Sequence, residues 1–510
     1  MTGNETGLGE AEPGEVDESV SRRNEERQIV EAVRVDAPDD RAEDLHAGRG
    51  HDDQQRTHTT LGREPPKRCE EDGPRRGTKE ELAAQAHGHV DPEDSEEECD
   101  DEGAEEPGAR SHHDRQNTRV RRYDAIVVGA GPAGSTAAYR LAAAGADVLL
   151  LDRAKFPRDK PCGGGVTERA ARLLPFRLDP VVEDVATQVD LRLRYGRTIE
   201  RGAGAPLVYL TQRKRLDHYL AQKAQAAGAD FRDGVRVTNL ENIDKGVGVT
   251  ANGERYDAEA LIGADGINGL SARALQLGGN REVGVALEGN LAYSRFDGEL
   301  YRGKLVLEFG VVPGGYAWVF PKGDHANFGV GGWASEGPAL RDHLRRLCET
   351  HDVSADDLED VRGYRLPLRS AGSTLARGRA LLIGDAAGLI DPVSGDGMFE
   401  GFLSSQYAAE ATRDLLGGRA QTLEPYGPRL AGRLATHLWA SWGAKVALDR
   451  FPRTMFRLAS NRVVWGAVER IVRGDVADVG GVHGFARPPL KAIKLLVRAA
   501  GDPGRAYRGA

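Results

Sequence analysis

Tyr123-Asp-Ala-Ile-Val-Val-Gly-Ala-Gly-Pro-Ala-Gly-Ser135 decides the fold. Ala125 to Val128 is an apolar run of strand length, and Gly129, Gly131 and Gly134 follow it at G-x-G-x-x-G spacing. Ala133 to Ala144 then reads as an Ala- and Leu-rich helix. A second apolar strand, Val148-Leu-Leu-Leu151, ends in Asp152. Strand, glycine turn, helix, strand and acid in this order predict a dinucleotide site. Gly129 permits the tight turn, Gly131 lets a pyrophosphate approach the backbone, and Gly134 lets the helix lie close to the strand. The free N–H groups of the helix start face the phosphates, and Asp152 accepts from an adenosine ribose hydroxyl.

Upstream of this unit the text is of another kind. Residues 1–120 carry 34 acidic and 16 basic residues, whereas the remaining chain carries 45 and 53. The net charge of -10 therefore hides an acidic extension on a basic body. Runs such as Asp94-Ser-Glu-Glu-Glu-Cys-Asp-Asp-Glu102 lack apolar periodicity and cannot offset chain entropy by burial. Residues 1–118 are expected to be disordered, or to precede a true start near Val120. A basic body suits an anionic partner such as a diphosphate or a membrane surface; scattered solvated arginines account for it equally well. No nucleic-acid partner is expected. The four cysteines, Cys69, Cys99, Cys162 and Cys348, form no CxxC pair. Neither a disulfide framework nor a metal site is expected, and a reducing cytoplasmic setting follows. No apolar run reaches spanning length, so no transmembrane helix is predicted.

Downstream, Lys160-Pro-Cys-Gly-Gly-Gly-Val166 is a loop leading into a helix over Thr167–Leu174. Thr211–Ala221 enters an amphipathic helix with Leu216, Tyr219 and Leu220 on one face. Strands are expected at Phe231, Val235–Leu240 and Val247–Thr250, with a turn at Asn252-Gly253. Ala260-Leu-Ile-Gly-Ala-Asp-Gly266 is a buried strand ending in a glycine-flanked acid. Short alternating or aromatic segments over 283–333 predict an inserted antiparallel sheet. There Tyr316, Trp318 and Phe320 alternate and share one face. Residues 338–350 read as a helix. Ala380-Leu-Leu-Ile-Gly-Asp-Ala-Ala-Gly388 returns to the parallel pattern, and the chain after Gly397 is mostly helical. The division expected is an extension (1–118), a nucleotide domain (119–282, which also holds part of the substrate domain, and 367–410), an antiparallel substrate region (283–366) and a helical C-terminus (411–510). The fold class is α/β, a Rossmann-like domain with an inserted β substrate domain.

Together these motifs resemble a known family. Gly129-Ala-Gly-Pro-Ala-Gly134, Arg213-Lys-Arg-Leu-Asp217, Gly263-Ala-Asp-Gly266 and Gly384-Asp-Ala-Ala-Gly388 stand in the order found in flavoproteins of the aromatic-hydroxylase superfamily. Lys160-Pro-Cys-Gly-Gly-Gly165, Pro313-Gly-Gly-Tyr-Ala-Trp-Val-Phe-Pro321 and Asp391-Pro-Val-Ser-Gly-Asp-Gly-Met398 narrow this to a resemblance to the geranylgeranyl reductase family, over about Arg121 to Tyr407. The resemblance implies FAD held by Gly129, Gly131, Ala133, Gly134, Asp152, Arg213, Val237, Asp265, Asp385, Gly397 and Met398, with Cys162, Gly163 and Gly165 against the flavin. Asp385, at a strand end, is placed to accept from a ribityl hydroxyl. Ser394-Gly-Asp-Gly397 opens a helix whose positive end favours reduced, anionic flavin. The resemblance also makes Tyr316, Trp318 and Phe320 the wall for a polyprenyl chain, and Cys162 a candidate for proton transfer, for tuning the flavin, or for simple packing.

The activity so implied is reduction of an isolated C=C of a polyprenyl chain, carried on a diphosphate, a phospholipid or menaquinone. NAD(P)H and reduced ferredoxin both remain open as electron donors. A flavin monooxygenase or halogenase on the same fold is the alternative. A quinone-feeding electron carrier is a third reading, disfavoured by the scattered cysteines. Leu490-Lys-Ala-Ile-Lys-Leu-Leu-Val-Arg498 alternates apolar and basic positions, and predicts either a peripheral attachment to the inner face of the cell membrane or a docked terminal helix.

Overall fold

The computed structural model describes residues 120–279, 282–369 and 372–476. The acidic extension and the Leu490–Arg498 segment lie outside the described residues. The nucleotide sheet has eight strands. Its main path runs Ala376–Arg377, Ala380–Leu382, Glu254–Gly263, Arg121–Val128, Val148–Leu151 and Asp230–Arg232. The four central strands and Asp230–Arg232 pair in parallel. The hairpin Val237–Ile243 with Gly246–Ala251 adds to Glu254–Gly263 antiparallel. Ile126, Val127 and Leu149 to Leu151 are fully buried, as continuous apolar runs covered on both faces require.

Helix α1 (Pro132–Ala142) crosses the first strand at a distance only glycine allows. A Cβ on Gly134 would stand 1.8 Å from the Gly129 carbonyl oxygen. A Cβ on Gly129, which has φ +104°, would stand 2.4 Å from the Ala264 oxygen. Helix α2 (Arg213–Ala226) buries Leu216 and Leu220, while Tyr219 stays half-buried and donates to the Arg177 carbonyl.

The second sheet has seven strands, in the order Glu359–Leu368, Glu282–Ala292, His325–Trp333, Tyr316–Pro321, Lys304–Phe309, Gln188–Leu193 and Arg197–Gly202. Helix α3 (Leu340–Thr350) packs on it through Leu344, Leu347 and Cys348. Two expectations are corrected here. The sheet is not wholly antiparallel: Gln188–Leu193, from the part of the substrate domain that precedes 283, pairs parallel with Lys304–Phe309. Such pairing, across more than a hundred residues, leaves no mark in the local pattern. The helix expected over Thr167–Leu174 is only Glu168–Ala171. Gly165–Thr167 is a strand paired with Val208–Leu210, because Val166 and Thr167 are β-branched and find an edge to join.

Helices α4 (Met398–Leu416), α5 (Tyr426–Arg450), α6 (Pro452–Ala459) and α7 (Arg462–Val472) complete the described fold. Helix α4 lies against α1, and α6 and α7 pack on the outer strands of the second sheet through Phe456, Trp465 and Val472. No helix among the described residues is long and apolar enough to cross a membrane.

Candidate active site

One cavity of about 1160 Å³ runs from the glycine turn, past the Lys160–Gly165 loop, to the face of the second sheet and the helices α6 and α7. Pockets for one ligand hold roughly 300–1,000 Å³, so this volume suits a cofactor and a second molecule together. Every residue expected to touch cofactor or substrate lines it: Gly129, Gly131, Ala133, Asp152, Cys162, Gly163, Gly165, Arg213, Val237, Asp265, Asp385, Gly397, Met398, Tyr316, Trp318 and Phe320. The one exception is Gly134, whose place is beneath the turn.

At the glycine end, Gly131 is the N-cap of α1, and no side chain caps that helix. Asp152 accepts the Ala130 N–H at 2.8 Å and the Ala154 N–H at 2.9 Å, so it shapes the turn as well as facing the cavity. Arg213 sits deeper than the sequence suggests. It is buried and makes a two-pronged ion pair with Asp217, at 2.7 and 2.6 Å. Arg158 stands forward instead. It pairs with Asp217 at 2.6 Å, lies 4.0 Å from Asp152, and its guanidinium is the nearest group to the open side of Gly131. Sequence reading missed Arg158; its only signal is a basic residue between the acid and the Lys160-Pro-Cys loop. Asp265 accepts from the Ser271 N–H and hydroxyl, and its second oxygen is buried without a hydrogen-bond partner among the described residues.

At the middle of the cavity Asp385 is gripped by Lys160 at 2.9 Å and by the Tyr364 hydroxyl at 2.8 Å. Burial pushes this carboxyl up, but Lys160 and Tyr364 outweigh it and hold the group below the ordinary aspartate range. Close by, the segment before α4 differs from expectation. The Met398 N–H donates to Asp396 Oδ1 at 2.7 Å, and the Ser394 N–H to Asp391 Oδ1 at 2.8 Å. Two of the N–H groups expected to face the cofactor are thus held by the chain's own carboxylates.

The Cys162 loop lies on the second sheet. Lys322 donates to the Gly163 and Thr211 carbonyls, and Cys162 donates its N–H to Glu288. A Cβ on Gly164 would stand 2.0 Å from the Thr211 oxygen, and one on Gly163 2.9 Å from the Phe320 ring. The glycines therefore let the loop press on the sheet, and that packing has to be added to the contact with a flat cofactor that the sequence suggests. Tyr316, Trp318 and Phe320 form one row, with ring centroids 6.0 and 6.2 Å apart. Trp318 donates to Asn327 at 2.8 Å, and Tyr316 donates to the Ser394 carbonyl, tying the wall to the loop before α4. The wall continues through Leu191, Leu305, Leu307 and Phe309 to Phe456 and Trp465. These last two, from the C-terminal helices, were not foreseen as part of a site.

Behind the α4 start, Asp391, Glu400 and His437 are brought together, with His437 Nε2 3.2 Å from Asp391 and 3.6 Å from Glu400. Burial alone would lower His437, but the two carboxylates prevail and raise it to about 9. Burial raises Glu400 to about 7. Both shifts have the same sign for stability. His437 contributes fully below its unfolded value near 6.5 and ceases to as pH rises through 9. Glu400 imposes a growing cost as pH rises from its unfolded value toward 7. Thermal melts should therefore fall between pH 6.5 and 9, and His437→Gln should flatten the fall. A variant that keeps the wild-type slope would show that the cluster does not titrate in this window.

The fold and the cavity define a flavoprotein of the dinucleotide-binding oxidoreductase class. The FAD binding domain family matches residues 122–422. Menaquinone reductase of Mycobacterium tuberculosis is 34% identical over 315 residues, 57% of this chain and 77% of that protein. Geranylgeranyl diphosphate reductase of Rhodobacter capsulatus is 32% identical over 310 residues, 58% and 76% of the two chains. The crystal structure of a geranylgeranyl bacteriochlorophyll reductase-like protein of Thermoplasma acidophilum superposes with a TM-score of 0.62 at 23% identity, covering 74% of this chain and all of the other, and so shares the fold. The chain belongs to the geranylgeranyl reductase family of FAD-dependent oxidoreductases, enzymes acting on CH–CH groups.

The residues present fit FAD. Gly131 faces the cavity, and among the described residues no side chain caps α1 and the buried Asp265 oxygen has no hydrogen-bond partner.

Proposed function

We propose that this protein saturates trisubstituted C=C bonds in the polyprenyl chain of a membrane-borne lipid or menaquinone. The observation that carries the reading is the unbroken aromatic and aliphatic wall, Tyr316 to Phe320 and onward to Trp465, joined to a site fit for FAD. FAD, when bound and reduced, supplies the hydride. Gly129, Gly131, α1 and Arg158 hold the diphosphate, Asp152 the ribose, and Asp385 a ribityl hydroxyl. Ala133, Val237, Asp265, Gly397 and Met398 complete that site, with Arg213 supporting it through Asp217. Cys162, Gly163 and Gly165 cover the reacting end. An isolated alkene has no carbonyl to activate it. The chain must therefore exclude water, orient the double bond and stabilise positive charge as a proton is added, and aromatic faces do all three.

The substrate has a way in from a bilayer. Val463 and Val468 on α7 are exposed large apolar residues, 43% and 38%, and Val468 also lines the cavity. We take this as the side that meets the membrane. Flotation with anionic liposomes should retain the full chain, and Val463→Asp with Val468→Asp should release it.

The donor that reduces the flavin is NAD(P)H or a reduced ferredoxin, and anaerobic bleaching by each separates them. The substrate is tested by mass spectrometry of lipids and quinones with and without the gene. Each bond reduced adds two mass units to the wild-type product. Unchanged lipids and quinones, or oxygen consumption coupled to turnover, would replace this reading with a monooxygenase.

A further inference from the structure

Register in the second sheet puts one acidic side chain, Glu288, on the cavity wall, between Arg362 on one neighbouring strand and a glycine and apolar row on the other side. Glu288 pairs with Gly329, Gly329 with Trp318, Trp318 with Leu307, and Leu307 with Leu191. Residues paired across strands project to the same face, and Glu288, Trp318, Leu307 and Leu191 all line the cavity. Gly329 supplies the space between. A Cβ there would stand 2.1 Å from the Trp318 ring, so the indole lies over Gly329, toward the strand that carries Glu288. Glu288 is 9% exposed. Its Oε1 accepts the Cys162 N–H, and Oε2 has no hydrogen-bond partner among the described residues.

Resting on the polyprenyl reading, we propose that Glu288 is the acid that protonates the alkene. The Glu288 O–H bond breaks and a C–H bond forms at one alkene carbon. The hydride that bound, reduced FAD would supply would form the second C–H bond at the other carbon. The π bond would be consumed, the chain reduced by two electrons at the expense of the flavin, and Glu288 left as a carboxylate to be reprotonated from solvent. Placement beside Trp318 sets the proton on the same wall as the ring that steadies the positive charge. The charges around the carboxyl suit the role. Burial raises Glu288 to about 7, with Lys322, Arg213 and the Cys162 N–H pulling it down and Asp159 pushing it up. Arg362, on the adjacent strand, is occupied by Asp159 and Asp360. An acid form abundant near neutrality is what a general acid needs. Lys322, anchored on two carbonyls, is lowered by burial and opposes the negative charge left after transfer.

The test compares full-length wild type, Glu288→Gln and Glu288→Asp, each loaded with FAD. Glutamine keeps an acceptor for the Cys162 N–H but cannot deliver a proton. Single-turnover reduction of the prenyl chain of menaquinone and of geranylgeranyl diphosphate is followed by product mass. The wild-type rate should fall as pH rises through about 7. Glu288→Gln should lower it by roughly 10²–10⁴-fold and remove the pH limb, with Glu288→Asp recovering part of both. Infrared pH-difference spectra of the loaded protein without substrate should show a carboxyl band that Glu288→Gln removes. A Glu288→Gln enzyme within about threefold of wild type, with its pH limb intact, overturns the proposal, as does an unchanged infrared band. If wild type reduces neither probe, the polyprenyl reading fails while the infrared band still reports on Glu288.

Discussion

Asp385→Ala is expected to emerge from purification colourless. The carboxylate is the only group gripped by both Lys160 and Tyr364 among the described residues, and it faces the cavity where the strand Ala380–Leu382 ends. Removing it takes away the acceptor proposed for the ribityl chain. It also leaves a partly buried ammonium, 25% exposed at the side chain, without its partner. Leaving partly buried polar groups unpaired costs about 1–3 kcal/mol, enough to weaken FAD binding and to lower the melting temperature. Asp385→Asn separates the two effects. It keeps an acceptor for Tyr364 and the ribityl hydroxyl but gives up the charge, so it should retain flavin weakly and melt between the other two proteins. Because Asp385 titrates below the ordinary range, its contribution is present above the unfolded value near 4 and is lost as pH falls through the folded value. A yellow Asp385→Ala protein with stoichiometric FAD would remove Asp385 from the site.

Trp318→Ala should behave in the opposite way, keeping FAD and losing the reaction. The indole rests on Gly329 and is held by Asn327, on strands of the second sheet, whereas the glycine turn, Asp152 and Asp385 follow strands of the nucleotide sheet. Truncation empties the middle of the aromatic row and frees a prenyl chain to slide and rotate. The lost apolar contact amounts to about 2–3 kcal/mol, or roughly 30- to 160-fold in the rate of chain reduction. Anaerobic reoxidation of the reduced enzyme by menaquinone, with the prenyl product weighed, measures it. If the variant reduces the chain as fast as wild type at every substrate concentration, the pocket lies elsewhere and the row is ordinary sheet core. Gly329→Ala offers an independent check, since the added methyl must displace the indole and should reproduce the defect.

The first βαβ unit was legible because its signals are local. Gly129 and Gly134 face backbone at 2.4 and 1.8 Å, and no other residue fits there, so the spacing alone announces the turn. The alternation of Tyr316, Trp318 and Phe320 was likewise enough to place three rings on one face. Arg158 was not legible, since an arginine in a loop acquires meaning only when Asp217, on a helix fifty-nine residues later, turns it toward Gly131. The ion pair of Arg213 with Asp217 was not legible either, since the sequence shows the motif and not the contact its guanidinium makes. Phe456 and Trp465 were read as parts of helices, and only the packing of α6 and α7 on the second sheet makes them wall.

The sequence by itself determined the nucleotide-binding unit, the aromatic strand and the family to which their motifs belong, since each is written within a few consecutive residues whose spacing follows from backbone geometry. Tertiary structure alone decided the parallel pairing of Gln188–Leu193 with Lys304–Phe309, the closing of the cavity by the C-terminal helices, and the row that sets Glu288 beside Trp318. Each of these depends on strand register or helix docking between residues far apart in the chain. Their free energy comes from burial shared across elements, which no local pattern of residues records.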